Sequence, residues 1–176
     1  MSKQSEALLQ KTSSPHTAPA VLVLEDGTVF EGRSCGKSGE VCGEICFDTS
    51  MIGYEEVLVD PKNAGKLVTM TYPQIGNYGI NRAVQEGKSA TVAGLVVHSL
   101  NQAPSSWLCD VGLTDYLTEE GIVAIEDIDT RVLVRHIRNK NLAAIISTEN
   151  FDVPALVAKL KETSVVQANN VGRGVE

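Results

Sequence analysis

Short apolar stretches separated by glycine, proline and acidic residues dominate the first half of the chain, a pattern that predicts β-strands joined by turns. Residues 21–24 and 28–32 flank Asp26-Gly27, a pair that favours the two-residue type I′ turn, so we expect a β-hairpin here. Residues 91–100 form a nearly continuous apolar run, which is typical of a strand buried on both faces.

Two more strands and a short helix are predicted between these segments. Residues 41–50 alternate again, and Gly43 within them allows a bulge or the close approach of another backbone. Residues 53–61 indicate a short helix or turn, and residues 66–73 indicate a strand. Each of these two segments ends at a proline, which cannot continue a helix or a sheet ladder.

The second half alternates strands with amphipathic helices. Residues 113–121 predict a helix with Thr114 as N-cap and Gly121 as its stop. A strand over residues 122–128 follows, and another over residues 142–148 comes later. Strands that alternate with helices indicate a sheet covered by those helices.

A second helix is predicted over residues 129–141, capped by Asp129 or Thr130. Leu133 and Ile137, four positions apart, should face the core. The opposite side of this helix is basic, with Arg131, Arg135, Arg138 and Lys140.

The pattern therefore predicts an α/β fold with mixed sheets and helices on one side. We expect a disordered tail over residues 1–19, one domain over 20–150, and a helix and linker over 151–176. The last helix should carry Pro154 in its first turn and lose its periodicity after Ser164.

Composition and charge narrow the class of protein. The chain has 176 residues, 43% of them hydrophobic, and a net charge of −7 with scattered acidic side chains. A nucleic-acid partner is disfavoured, because phosphate neutralisation needs a basic face. No apolar run is long enough for a transmembrane helix or the core of a signal peptide, so we expect no membrane association and a cytoplasmic protein.

No catalytic or metal site is predicted from the reactive residues. The four cysteines (Cys35, Cys42, Cys46 and Cys109) form no Cys-x-x-Cys pair, so buried thiols are favoured over zinc ligands. Residues 32–39, "GRSCGKSG", have only three residues between Gly32 and Gly36-Lys37 and precede a predicted strand, which disfavours a phosphate-binding loop. His16, His98 and His136 lie apart along the chain.

Two carboxylates occur where a strand is expected to meet a helix, in "DIDTR", residues 127–131. Asp129 is suited to cap the helix, and Arg131 is within reach of Asp127. We favour this structural role and keep a contact to a partner as the alternative.

A loop rich in turn-forming and aromatic residues, "TYPQIGNYGIN", occupies residues 71–81. Its glycines permit positive φ, and its tyrosines offer large contact area with polar tips. Either a surface loop that another protein or domain covers, or an ordinary long turn, accounts for this composition. The candidate interface residues are Tyr72, Pro73, Gly76, Asn77, Tyr78 and Gly79.

Taken in order and spacing, residues 20–148 resemble the N-terminal domain of the small, glutamine-hydrolysing subunit of carbamoyl phosphate synthetase. The resemblance is strongest in "TSMIGYEEVLVDP" (49–61), "TYPQIGNYGIN" (71–81) and the "GI..I..IDTR" pattern (121–131). It implies a β/β/α swivelling-type domain.

Function and partners follow from the resemblance as expectations. In that family a class I glutaminase domain of the same subunit hydrolyses glutamine through a Cys-His-Glu triad. The large subunit then uses the ammonia, bicarbonate and two ATP with Mg to make carbamoyl phosphate for arginine and pyrimidine synthesis. The N-terminal domain contacts the large subunit, so we expect this chain to need no cofactor of its own and to serve in docking.

Two departures from the family pattern are visible. We expect the glutaminase domain to lie beyond this sequence, because none of the cysteines lies in a Gly-x-Cys-x-Gly elbow. The family serine that is associated with the glutamine site is replaced by Lys62, whose ammonium only donates hydrogen bonds. The alternative hypothesis is a freestanding interaction or regulatory module without an amidotransferase role.

Overall fold

Seven strands form a closed barrel in the computed structural model, which describes residues 18–51, 53–82, 88–101 and 109–171, with side chains up to 163. The predicted tail therefore lies outside the described residues, except that the first strand already begins at Pro19. The barrel strands are β1 (Pro19–Leu24), β2 (Val29–Ser34), β3 (Glu40–Asp48), β4 (Leu67–Met70), β6 (Gly94–Val96), β8 (Val123–Glu126) and β9 (Ala143–Ser147).

Two short strands and four helices complete the described fold. Strands β5 (Gln74–Ile75) and β7 (Ser99–Leu100) pair in parallel outside the barrel. The helices are α1 (Tyr54–Val59), α2 (Leu113–Glu119), α3 (Thr130–Ile137) and α4 (Val153–Val171), and a 3₁₀ turn covers Pro61–Asn63.

Parallel and antiparallel pairings divide the barrel into two parts. Strands β3, β4, β6 and β8 run parallel to one another. The remaining pairs of the ring are antiparallel: β1 with β2, β2 with β8, β1 with β9, and β3 with β9. The carboxyl ends of the four parallel strands consequently lie at one end of the barrel.

The predicted mixed α/β class is confirmed, but the placement of the helices on one side is wrong. Helix α4 packs outside β1 and β9, α1 and α2 pack outside β4, β6 and β8, and α3 contributes Leu133 and Ile137 to the apolar interior of the barrel. A sheet that closes on itself has an inner and an outer face, so helices can cover it from several directions. The swivelling β/β/α arrangement stays a prediction.

The first hairpin is confirmed, and its turn differs from the predicted type. Gly27 has a φ of 86°, while Asp26 does not have positive φ, and the N–H of Gly27 donates to the carbonyl oxygen of Leu24 at 2.9 Å. The loop is thus a type I turn followed by a left-handed glycine, and not type I′. The Asp26 carboxylate accepts from the N–H of Thr28 at 3.0 Å, which supports this turn.

Two other local predictions are corrected. Gly112, and not Thr114, is the N-cap residue of α2, and the buried hydroxyl of Thr114 has no hydrogen-bond partner among the described residues. Helix α4 continues to Val171, beyond the predicted end at Ser164, because residues 165–171 contain no glycine or proline to stop it. The rest of the predicted linker, residues 172–176, lies outside the described residues.

Candidate functional site

The loop of residues 71–81 lies at the carboxyl end of β4 and is held by helix α1. The ring of Tyr78 stacks on the ring of Tyr54 with a centroid separation of 4.6 Å. The Tyr54 hydroxyl donates to the carbonyl oxygen of Gly79 at 2.5 Å, and the N–H of Gly53 donates to the Tyr78 hydroxyl at 2.9 Å. Part of the aromatic content of the loop therefore serves contacts within this chain.

The two glycines of the loop adopt the positive φ that the sequence predicts, 89° at Gly76 and 67° at Gly79. Both are buried. A Cβ on Gly79 would lie 2.1 Å from the Sγ of Cys109, so no larger residue fits without movement. The glycines shape the loop and expose no surface of their own.

The other candidate interface residues retain accessible surface. Pro73 is exposed, and Tyr72, Asn77 and Tyr78 are half-buried. Contact with another protein at this loop stays a prediction, and any such contact would use these four residues.

A groove of about 550 Å³ lies beside the loop, along helix α3. A neighbouring recess of about 310 Å³ contains Pro73 and His98 and shares Thr71 and the start of α3 with the groove. The structure thus joins the predicted interface loop to the basic helix. The groove is lined by Thr49, Thr71, Asp129, Thr130, Arg131, Val132, Val134, Arg135 and Arg138.

The order of the strands explains why these residues meet. Thr49 follows β3, Thr71 follows β4, and Asp129 lies shortly after β8, so parallel pairing brings all three to the same end of the barrel. The carboxyl ends of parallel strands are a common place for binding sites in α/β proteins. Thr49 and Thr71 were missed as candidates; their positions near the carboxyl ends of the two predicted strands over residues 41–50 and 66–73 were the available signal.

Of the two contacts predicted at the strand-to-helix junction, residues 127–131, one is confirmed and the other is wrong. Asp129 caps α3, and its carboxylate accepts from the N–H of Val132 at 3.0 Å. Asp127, however, pairs with Arg33 of β2 at 2.6 Å and not with Arg131. Asp127 has a φ of 66°, and β2 lies directly beside β8, which makes Arg33 the nearer cation. The hydrogen bond with Asp127 raises the pKa of Arg33.

A buried carboxylate that the sequence did not single out lies beside this pair. Glu126 is 4% exposed, and its carboxylate accepts from the N–H of Leu100 at 3.2 Å. Burial raises the pKa of Glu126, while the Leu100 N–H and the Arg33 charge act in the opposite direction. These contacts tie β8 to β7, and they give Glu126 a structural role.

Lys62 lies away from the groove, on the exposed 3₁₀ turn that precedes β4. Its backbone N–H donates to the Asp60 carboxylate at 2.9 Å. This turn is close to the amino end of β4, whereas the loop and the groove are at the carboxyl end. The structure therefore does not bring Lys62 together with the candidate interface residues.

Three of the four cysteines lie where a thiol is not activated as a nucleophile. Cys35 is buried, and burial raises its pKa well above the ordinary range of a thiol. Burial likewise raises the pKa of Cys42 and Cys46, whereas a reactive cysteine needs a lowered pKa. No group of three His, Cys, Asp or Glu side chains that would hold a metal ion occurs among the described residues.

None of the helices within the described residues has the length and apolar character needed to cross a bilayer.

Comparison with known proteins identifies relatives of the barrel. The family model for the carbamoyl-phosphate synthase small chain, CPSase domain, matches residues 22–147. The carbamoyl phosphate synthase small chain of Rhodopirellula baltica is 47% identical over 150 residues, which cover 85% of this chain and 38% of that protein. The corresponding protein of Thermotoga maritima is 47% identical over 145 residues, 82% of this chain and 37% of that protein.

A third relative shows the same partial overlap. The small chain of Maridesulfovibrio salexigens is 47% identical over 153 residues, 86% of this chain and 41% of that protein. The chain thus spans about two fifths of the length of these relatives. A solved aminopeptidase from Aneurinibacillus sp. strain AM-1 overlaps at 15% identity with a TM-score of 0.42, covering 75% of this chain and 31% of that one, and supports no conclusion. The match from β1 through β9 shows that the chain belongs to the carbamoyl-phosphate synthase small chain family.

Proposed function

We propose that this chain supplies the N-terminal domain of a glutamine-dependent carbamoyl phosphate synthetase small subunit, and that the domain acts in docking. The observation that carries the proposal is the family match over residues 22–147, which includes nearly the whole barrel. The parent reaction converts glutamine, bicarbonate and two ATP to carbamoyl phosphate for arginine and pyrimidine biosynthesis, in the cytoplasm. The swivelling-type arrangement of the family belongs to the same proposal.

The chemistry of the described residues supports docking over catalysis. Glutamine hydrolysis in the family needs a nucleophilic cysteine, but burial raises the pKa of Cys35, Cys42 and Cys46, and the fourth cysteine, Cys109, lies in no Gly-x-Cys-x-Gly elbow. Two adjoining surfaces are available for contact, the loop of residues 71–81 and the groove along α3. Both are suited to contact with another polypeptide.

Two partners follow from the proposal. One is the class I glutaminase domain of the same small subunit, whose Cys-His-Glu triad releases ammonia. The other is the large subunit, which uses ATP and Mg. Holding both together would keep ammonia from escaping to solvent before it reacts.

A glutaminase assay tests the division of labour. The 176-residue chain is incubated with glutamine, with and without the large subunit, and glutamate release is measured; the complete small chain of Thermotoga maritima serves as the positive control. We expect no turnover by the chain in either condition. Robust glutamate release by the chain alone would refute the proposal.

The presence of a lysine at position 62, where the family has a serine, favours a second candidate function: an interaction or regulatory module without an amidotransferase role. The exposed ammonium stands where the family has a serine associated with the glutamine site. Reading the coding sequence beyond residue 176 separates the candidates. An open frame with a Gly-x-Cys-x-Gly elbow supports the first function, and a natural stop codon supports the second.

A further inference from the structure

Three arginines line one groove of a chain whose net charge is −7. Arg131, Arg135 and Arg138 are exposed and follow one another at intervals of four and three residues, so they share one side of α3. Over the seven steps from Arg131 to Arg138 the helical rise is about 10 Å. The groove therefore presents a row of positive charge against the overall charge of the chain.

The acidic side chains near this row already have partners. The Asp129 carboxylate accepts from the N–H of Val132, Asp127 pairs with Arg33, and the Asp48 carboxylate accepts from the N–H of Ser50 at 2.7 Å. In the part of the chain that the structure describes, none of the three groove guanidinium groups donates to a carboxylate. The five donors of each guanidinium are thus available to an outside acceptor.

The apolar surface beside the arginines indicates a polypeptide and not a small anion. Val132, in the groove, is 41% exposed, and Met51, two residues after the groove residue Thr49, is 70% exposed. Arginine and methionine are enriched in protein interfaces, whereas a site for a small anion gains nothing from exposed apolar side chains. A row of charges about 10 Å long also fits an extended segment better than one phosphate.

The groove is continuous with the loop that we predict to contact a partner. Thr71 belongs to both the groove and the neighbouring recess, and that recess contains Pro73. One partner surface can therefore cover the loop and the arginine row together.

We propose that the groove along α3 docks an acidic segment of a partner polypeptide, whose carboxylates pair with Arg131, Arg135 and Arg138 and whose apolar side chains cover Val132. Bidentate pairing of guanidinium with carboxylate provides both strength and orientation. The proposal rests on the function proposed above, and of the two partners named there it assigns the groove to the large subunit.

Charge reversal in the groove tests this inference. The affinity of the 176-residue chain for the large subunit is measured by biolayer interferometry for the wild type, Arg135→Glu and Lys161→Glu. Lys161 is an exposed residue of α4, away from the groove, and its reversal changes the net charge equally. Thermal unfolding of each variant confirms that the fold is kept.

The expected result is a loss of affinity of about tenfold or more in Arg135→Glu, with less than about a twofold change in Lys161→Glu. Added salt should weaken wild-type binding more than binding of Arg135→Glu, because ion pairs are screened. Equal affinity of wild type and Arg135→Glu overturns the inference but leaves the proposed function intact. No binding by the wild type overturns both.

Discussion

The buried hydroxyl of Tyr54 offers a quantitative test of how the loop of residues 71–81 is held. Tyr54 is 4% exposed, and its hydroxyl donates to the carbonyl oxygen of Gly79 at 2.5 Å. Tyr54→Phe keeps the ring and its stacking on Tyr78, but it leaves the Gly79 carbonyl without this donor. A buried polar group that loses its partner costs about 1–3 kcal/mol.

We therefore expect Tyr54→Phe to lower the free energy of unfolding by about 1.5 kcal/mol. For a chain of this size, that corresponds to a fall in Tm of roughly 3–6 °C. Urea unfolding followed by circular dichroism measures the difference. Tyr72→Phe is the matched control, because Tyr72 is a half-buried tyrosine of the same loop whose hydroxyl makes no hydrogen bond among the described residues.

The control should stay within about 0.5 kcal/mol of the wild type. If both variants lose the same stability, the hydrogen bond to Gly79 does not hold the loop and the reasoning fails. A loss of binding to the large subunit in Tyr72→Phe alone would instead assign that hydroxyl to the interface.

Two further changes test the packing of the same loop and the first hairpin. Gly79→Ala should destabilise the chain by more than about 2 kcal/mol, because the added Cβ meets the Sγ of Cys109 at 2.1 Å and the backbone has positive φ; unchanged urea unfolding would contradict the close packing. Burial raises the pKa of Asp26, but hydrogen bonds from His136 and Thr28 outweigh it and lower this pKa to about 2. The stabilisation of the folded state by the ionised Asp26 carboxylate is complete above the unfolded pKa of about 3.9, and it disappears as the pH falls through about 2. Asp26→Asn should therefore cost about 1 kcal/mol at pH 6, screening included, and almost nothing below pH 2; a difference that does not vary with pH would exclude the carboxylate.

The strands were predictable because their patterns report local burial. The alternation in β1 places Leu22 and Leu24 inside the barrel and Val21 and Val23 against α4. The apolar run around β6 arises because Val96 faces the interior of the barrel while its neighbours contact the outer cluster. Both patterns depend on residues close in sequence.

Closure of the barrel was not predictable from the same patterns. It depends on β2 pairing with β8 and on β3 pairing with β9, and each of these pairs joins strands far apart in the chain. Local periodicity indicates which face of a strand is buried but not which strand lies beside it. The predicted type I′ turn of the hairpin was wrong because Asp-Gly suits both that two-residue turn and the three-residue loop that is observed.

Individual features of the candidate site were predictable from the sequence, but the way in which they come together in space was not. The positive φ of Gly76 and Gly79 and the basic side of α3 were visible in the sequence. That Tyr54 would hold the loop, and that Thr49 and Thr71 would line a groove with the arginines, depends on the parallel pairing of β3, β4, β6 and β8.

The turn that carries Lys62 and the groove along α3 lie at opposite ends of β4. Lys62, which we expect to occupy the position of the family's glutamine-associated serine, lies on the turn before the amino end of this strand, and the groove lies at its carboxyl end. The four residues of β4 separate these surfaces by about 13 Å. A glutaminase domain near Lys62 and an acidic segment in the groove would therefore contact different ends of the barrel. Because the surfaces do not overlap, we expect a change at Arg135 to weaken docking of the large subunit without altering any glutamine contact at Lys62.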